Sequence, residues 1–192
     1  MATARREWVA NVTAYTVGGA ISSVAVGAAL GLAGSFLPGA GGTAAIAVVL
    51  ALAAAAVVRE VWLRRIPFPQ LKRQTSRKWA LQASGPIVPF LWGLDIGLTF
   101  TTFFTFAGVW VVLAIAFLFG DPGYGALVLG AYWLGRALSV WVSPLLLERP
   151  NAIDALLDGI GGTRRLVRAA HVAALLFALA DAEMAAGEPG TP

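Results

Sequence analysis

The sequence predicts an all-α fold, a polytopic transmembrane helix bundle of about five spans, on three observations. Of its 192 residues, 58% are hydrophobic and only 12% are charged; that is about half the charge of a soluble domain, so a water-surrounded core cannot absorb the apolar surface. The apolar residues also fall in long runs, and a bilayer-crossing helix needs about 20 of them because only a helix satisfies its own backbone hydrogen bonds in hydrocarbon. Finally, thirteen of the 14 Lys and Arg residues lie in three stretches: Arg5 with Arg6, Arg59 to Lys78, and Arg149 to Arg168. The short connections near Pro38 to Gly42 and Gly120 to Gly123 carry none. The positive-inside rule then places the three basic stretches in the cytoplasm of a multi-pass plasma (inner) membrane protein with a cytoplasmic N-terminus.

Residues 1–192 read as a single transmembrane domain. The first span covers 12–37, too long for the cleavable core of a signal peptide, which runs about 7 to 15 residues. A Pro38-Gly39-Ala40-Gly41-Gly42 turn joins it to a second span, 43–62, in a tight helical hairpin. The polar connection 63–82, with Pro67, Pro69, Lys72, Arg73, Arg77 and Lys78, is a cytoplasmic loop. Trp8, Trp62 and Trp79 flank the same side of three spans, as headgroup-level aromatic anchors do.

The third apolar run, 86–119, would make about 50 Å of continuous helix against a hydrocarbon core of about 30 Å. It must tilt, kink or break. Thr99, Thr101, Thr102 and Thr105 mark the irregularity, and a single kinked helix is expected over a re-entrant pair because no Gly or Pro interrupts Leu98 to Ala107. Asp121-Pro122-Gly123 has turn chemistry and opens the fourth span, 124–147. A short interfacial helix follows, with Ile153, Leu156, Leu157 and Ile160 on one face. The last span, 166–184, has an uncharged centre only from Val172 to Ala180, and crosses if its end charges snorkel.

Asp95 and Arg136 stand out as intramembrane charges on consecutive spans. Their depths agree to within a few Å, which predicts an ion pair that either fixes helix register or forms a substrate or proton site. Thr99, Thr101, Thr102 and Thr105 could offer hydroxyls to the same pathway or bond their own i−4 carbonyls. Gly19, Ser23, Gly27 and Gly31 recur at four-residue spacing, and Gly93 with Gly97 repeats it, a pattern that lets helix backbones approach closely within the chain or in an oligomer. His171 is a lone histidine near a helix end.

No catalytic pair, phosphate-binding loop or metal-ligand cluster is recognisable, so neither an enzyme nor a cofactor or metal is expected. There is no cysteine. The net charge of +4 belongs to the basic stretches beside the apolar runs, where anionic lipid rather than nucleic acid attracts them.

The stretch Phe90-Leu91-Trp92-Gly93-Leu94-Asp95-Ile96-Gly97-Leu98-Thr99-Phe100-Thr101-Thr102, followed by an apolar run, a short turn and Gly125 to Gly135, resembles the second half of the cytochrome c biogenesis CcdA/DsbD transmembrane family, within the LysE-type transporter superfamily. The resemblance implies two inverted three-helix repeats, with Tyr15 to Trp62 matching the last two helices of a first repeat. That family works through one cysteine in each repeat; Phe100-Thr101-Thr102-Phe103 stands in the matching region here, so no active-site residue carries over. The resemblance implies a redox-silent transporter-type or membrane-maturation subunit, working with a membrane or periplasmic protein partner or as a homo-oligomer. The competing expectation is a structural or assembly subunit of a larger membrane complex, with no transport of its own.

Overall fold

A computed structural model describes residues 2–62, 84–99 and 107–147. Five helices account for them: α1 (Ala2–Gly34), α2 (Thr43–Val61), α3 (Ile87–Gly97), α4 (Gly108–Leu118) and α5 (Pro122–Leu147). Among the described residues there is no strand. α1, α2 and α5 contain segments long and apolar enough to cross a membrane, Thr3–Gly34, Thr43–Glu60 and Pro122–Pro144; α3 and α4 are apolar but shorter. The loop 63–82, Trp79, Thr101, Thr102, Thr105, the interfacial helix, His171 and the span 166–184 lie outside the described residues.

α1 begins well before the apolar run it was expected to match. Ala2, Ala4, Arg5, Arg6 and Glu7 are strong helix formers, so nothing stops the helix from running back through them. It ends at Gly34, and in the turn that follows Gly39 (φ 78°) and Gly41 (φ 71°) supply the left-handed conformations. α1 and α2 do not form the tight hairpin expected of so short a connection; they barely touch. α4 comes between them: Gly34 lies against the Phe117 carbonyl, and Gly41 N–H donates to Leu118 O at 2.9 Å. α2 packs instead on α4, where Ala53, Ala56, Ala107 and Val111 form a buried cluster flanked by Val49 and Ile115.

The third apolar run holds two described helices, with residues 100–106 between them outside the described residues. α3 stops at Gly97 and α4 starts at Gly108, each about 16 Å long at 1.5 Å per residue. Thr99 ends α3 by adopting φ 64°, a conformation that a β-branched residue rarely takes. Two bonds compensate: Thr99 Oγ1 donates to Gly97 O at 3.0 Å, and Ser23 Oγ of α1 donates to the same carbonyl at 2.7 Å. The break therefore depends on a partner in another helix, which is why local sequence did not reveal it. α5 starts at Pro122 rather than Tyr124, because Asp121 is its N-cap, accepting from Tyr124 N–H, and proline suits the first helical position.

α1 is the helix on which α3, α4 and α5 assemble, while α2 joins through α4. A Cβ on Gly27 would strike the backbone of Gly125, one on Gly31 the backbone of Asp121, and one on Gly93 the carbonyl of Tyr15. Such contacts are backbone on backbone and cannot be relieved by turning a side chain. Gly27→Ala is therefore expected to cost about 1–3 kcal/mol by forcing α1 and α5 apart. Gly135→Ala, with open space around the new methyl, should be neutral or slightly stabilising. Thermal unfolding of the two variants in detergent checks this, and equal midpoints would refute the close-approach account.

Candidate functional site

Helix register fixes what meets the break. Along α1 and α5 the pairs are Gly19 with Trp133, Gly27 with Gly125 and Gly31 with Asp121, so the two run antiparallel without slippage. α3 runs parallel to α1, with Gly93 against Tyr15 and Gly19, and Gly97 against Gly19 and Ser22. α4 continues in the same direction, its Val109 and Leu113 packing with Val26 and Leu30. The gap between α3 and α4 thus falls beside Ser22 to Val26 of α1.

Several polar side chains gather near that level. Ser22 and Ser23 are buried in α1, and Thr99 is 1% exposed. From α2 comes Glu60, 4% exposed, whose Oε1 accepts from Ala107 N–H at 3.0 Å and from Arg59 Nη1 at 2.7 Å. Ala107 is the N-cap residue of α4, so the carboxylate sits on the positive end of that half-helix and satisfies one of its orphan donors. A buried carboxylate is tolerable only with such partners. Glu60 was missed in the sequence because it lies beside Arg59 at the end of a span, where charges are ordinary. The available signal was phase: Glu60 follows Ala53 and Ala56 on one helical stripe, and that stripe is buried.

Asp95 is 5% exposed on α3. Gly93 and Gly97 face α1, and two residues are about 200° of helical rotation, so Asp95 lies on the side of α3 turned away from α1. Arg136 is half-buried on α5; its guanidinium carbon is 5.9 Å from the Tyr132 ring centroid, and its charge reaches the Tyr15 phenol. The expected Asp95 to Arg136 ion pair does not form: among the described residues the ion pair is Arg59 with Glu60. The two depths are similar, but α3 and α5 pack on different parts of α1 and hardly meet. Depth follows from residue counting, whereas the direction around a helix depends on the packing of its neighbours.

A second polar knot ties α1 to α5 below the break. Thr16 receives both indoles: Trp133 Nε1 donates to its carbonyl at 2.8 Å and Trp141 Nε1 to its hydroxyl at 3.0 Å. Thr16 Oγ1 in turn donates to Val12 O at 2.8 Å. Trp8 meets Trp141 edge-on at 5.7 Å, and Tyr15 lies 5.1 Å from Trp133. Among the described residues no three His, Cys, Asp or Glu side chains gather to hold a metal.

The chain is similar to two curated proteins named methylamine utilization protein MauF. With that of Methylobacillus flagellatus it shares 28% identity over 140 residues, covering 71% of the chain and 48% of the relative. With that of Methylorubrum extorquens it shares 29% identity over 176 residues, covering 85% of the chain and 59% of the relative. The chain thus spans about half the length of the curated relatives it matches. No family model matches it, and no solved structure does. These relatives overturn the resemblance to the CcdA/DsbD family. Glycines at four-residue spacing in an apolar helix recur wherever helices pack closely, and the stretch that carried the resemblance is not one helix, since α3 ends at Gly97.

Two outcomes follow for stability in detergent. Glu60→Gln should cost about 3–5 kcal/mol by removing the negative charge that Arg59 Nη1 donates to, and Arg59→Met in the same molecule should recover part of the loss. An unchanged unfolding midpoint for Glu60→Gln would remove the carboxylate from the fold. Asp95→Asn and Arg136→Gln, having no contact with each other, should be additive to within about 0.5 kcal/mol in a double-mutant cycle; a larger coupling would mean that the two groups do interact.

Proposed function

We propose that the chain is an integral membrane protein of methylamine utilization, acting as a non-enzymatic accessory subunit with a polar site halfway across the bilayer. The observation that carries the reading is the 176-residue match to a MauF protein, which takes in 85% of the chain. The arginines at the start of α1 and the turns without Lys or Arg at its other end support a cytoplasmic N-terminus. Ser23 is then about 16 Å of helix from Gly34, close to the middle of a hydrocarbon core of about 30 Å. Thr99, which bonds the same Gly97 carbonyl as Ser23, belongs to that middle layer. Half-helix ends meeting polar groups at mid-membrane are an arrangement that suits handling of a polar solute or proton.

A second reading, a structural subunit that holds a larger assembly together, is favoured by the hydrogen bonds of Ser23 and Glu60, which lock helices to one another.

In the organism that encodes the chain, deleting the gene is expected to abolish growth on methylamine and leave growth on amine-free medium intact. Growth on methylamine by the deletion strain would overturn the proposal. Complementing the deletion with Asp95→Asn separates the two readings. Normal accumulation in the membrane without growth supports a working site, whereas loss of the protein from the membrane supports a lock.

A further inference from the structure

Arg136 is a cation whose counter-charge is not found among the described residues. Its Nη1 is fully buried and has no hydrogen-bond partner there. The side chain reaches back one turn to Tyr132, as α-helical side chains do, so the guanidinium points toward the outer end of α5. Pro122 to Arg136 is about 21 Å of helix, and one turn back is about 15 Å. On the membrane reading proposed above, from which this inference takes its energetic force, the charge is therefore held near mid-bilayer instead of snorkelling to the nearer interface.

The surroundings are built from donors. Tyr132 of α5 and Tyr15 of α1 present phenols close enough to feel the guanidinium charge. Tyr15 is itself fixed by its contact with the Trp133 ring, and its carbonyl lies against Gly93 of α3. α4 packs on α5 through Val109, Leu113 and Leu129, with Tyr132 against the cluster. Below that contact α3 and α5 both rest on α1 but scarcely touch each other. Tyr15 of α1 thus stands between Gly93 of α3 and Trp133 of α5, on the helix that carries both neighbours, and the half-buried Arg136 lies one turn from Tyr132 on α5.

We infer that Arg136, Tyr15 and Tyr132 form a binding site for an oxyanion, a carboxylate or phosphate group brought to the guanidinium from outside the described helices. A guanidinium fork matches two oxyanion oxygens, and charge-assisted bonds from it are about twice as strong as neutral ones. The two phenols complete a donor set that, among the described residues, no acidic side chain pairs with. The oxyanion comes from a soluble solute or from a lipid headgroup drawn to the guanidinium.

The test uses the full chain purified in neutral detergent and in nanodiscs. In detergent, sodium acetate and inorganic phosphate, each against chloride at matched ionic strength, should raise the unfolding midpoint saturably, as a ligand that binds only the folded state must. Nanodiscs of phosphatidylglycerol against phosphatidylcholine test the headgroup source by the same readout. Arg136→Gln should abolish the response; Tyr132→Phe and Arg136→Lys should weaken binding about tenfold, the effect of losing a charge-assisted hydrogen bond. Should Arg136→Gln fail to fold, Arg136→Lys and Tyr132→Phe carry the comparison alone. A response that is equal in wild type and variants would overturn the site. So would the absence of a saturable response to acetate, phosphate and anionic lipid, or a co-purifying membrane polypeptide released by Arg136→Lys. These measurements need no methylamine and no growth phenotype, so the site and the proposed function can fail separately.

Discussion

Backbone-to-backbone contact along α1 is the constraint on which the rest of the structure depends. At Gly18, Gly27, Gly31 and Gly34 an added Cβ would meet main-chain atoms of α3, α5, the turn before α5, and α4. Lipid tails are as apolar as leucine, so helices in a bilayer gain little by hiding apolar surface from each other. They associate through van der Waals contact and hydrogen bonds, both of which grow steeply as backbones approach. One long helix with small residues on several sides can therefore organise neighbours that scarcely organise one another.

Close approach also explains how the chain sustains a break where no glycine or proline provides one. Ser23 reaches the Gly97 carbonyl only because Gly93 and Gly97 let α3 settle onto α1. With that carbonyl satisfied, Thr99 can take a left-handed conformation and still bury its hydroxyl against the same oxygen. On the far side of the gap, Glu60 supplies the acceptor that the first turn of α4 lacks. Each half-helix end is thus closed by a side chain from a different helix, α1 for one and α2 for the other. Without them the ends would leave unpaired backbone groups away from water, each costing several kcal/mol in an apolar medium.

What the sequence made legible was what repeats or can be counted. The apolar runs pointed to an all-α chain with segments long enough to cross a membrane, and Thr99, the first of the threonines, stands where α3 ends. Three things required knowledge of packing direction. Thr99 ends α3 with the help of Ser23, which stands 74 residues before the carbonyl it bonds. Asp95 and Arg136 share a similar depth, but Asp95 lies opposite the α1-facing glycines of its helix, while Arg136 turns along α5 to Tyr132. The turn at Pro38 to Gly42 is short enough for a hairpin, yet α4 takes the place beside α1 that α2 was expected to fill. Resemblance failed for a related reason: glycine spacing reports that a backbone comes close, not which protein it belongs to.

The two ends of the α1–α5 contact differ in kind. Toward the turn at Asp121 the helices meet through Gly27, Gly31 and Gly125, with no side chain between them to change rotamer. Toward the N-terminus of α1 the separation is set by indoles: the Trp133 ring lies over Gly19, and Trp141 bonds to the Thr16 hydroxyl. A backbone contact is nearly incompressible, since interiors pack at crystal-like density. The α1–α5 contact is thus backbone on backbone at one end and indole on backbone at the other, where the buried Trp133 and the Thr16 hydrogen bonds set the spacing.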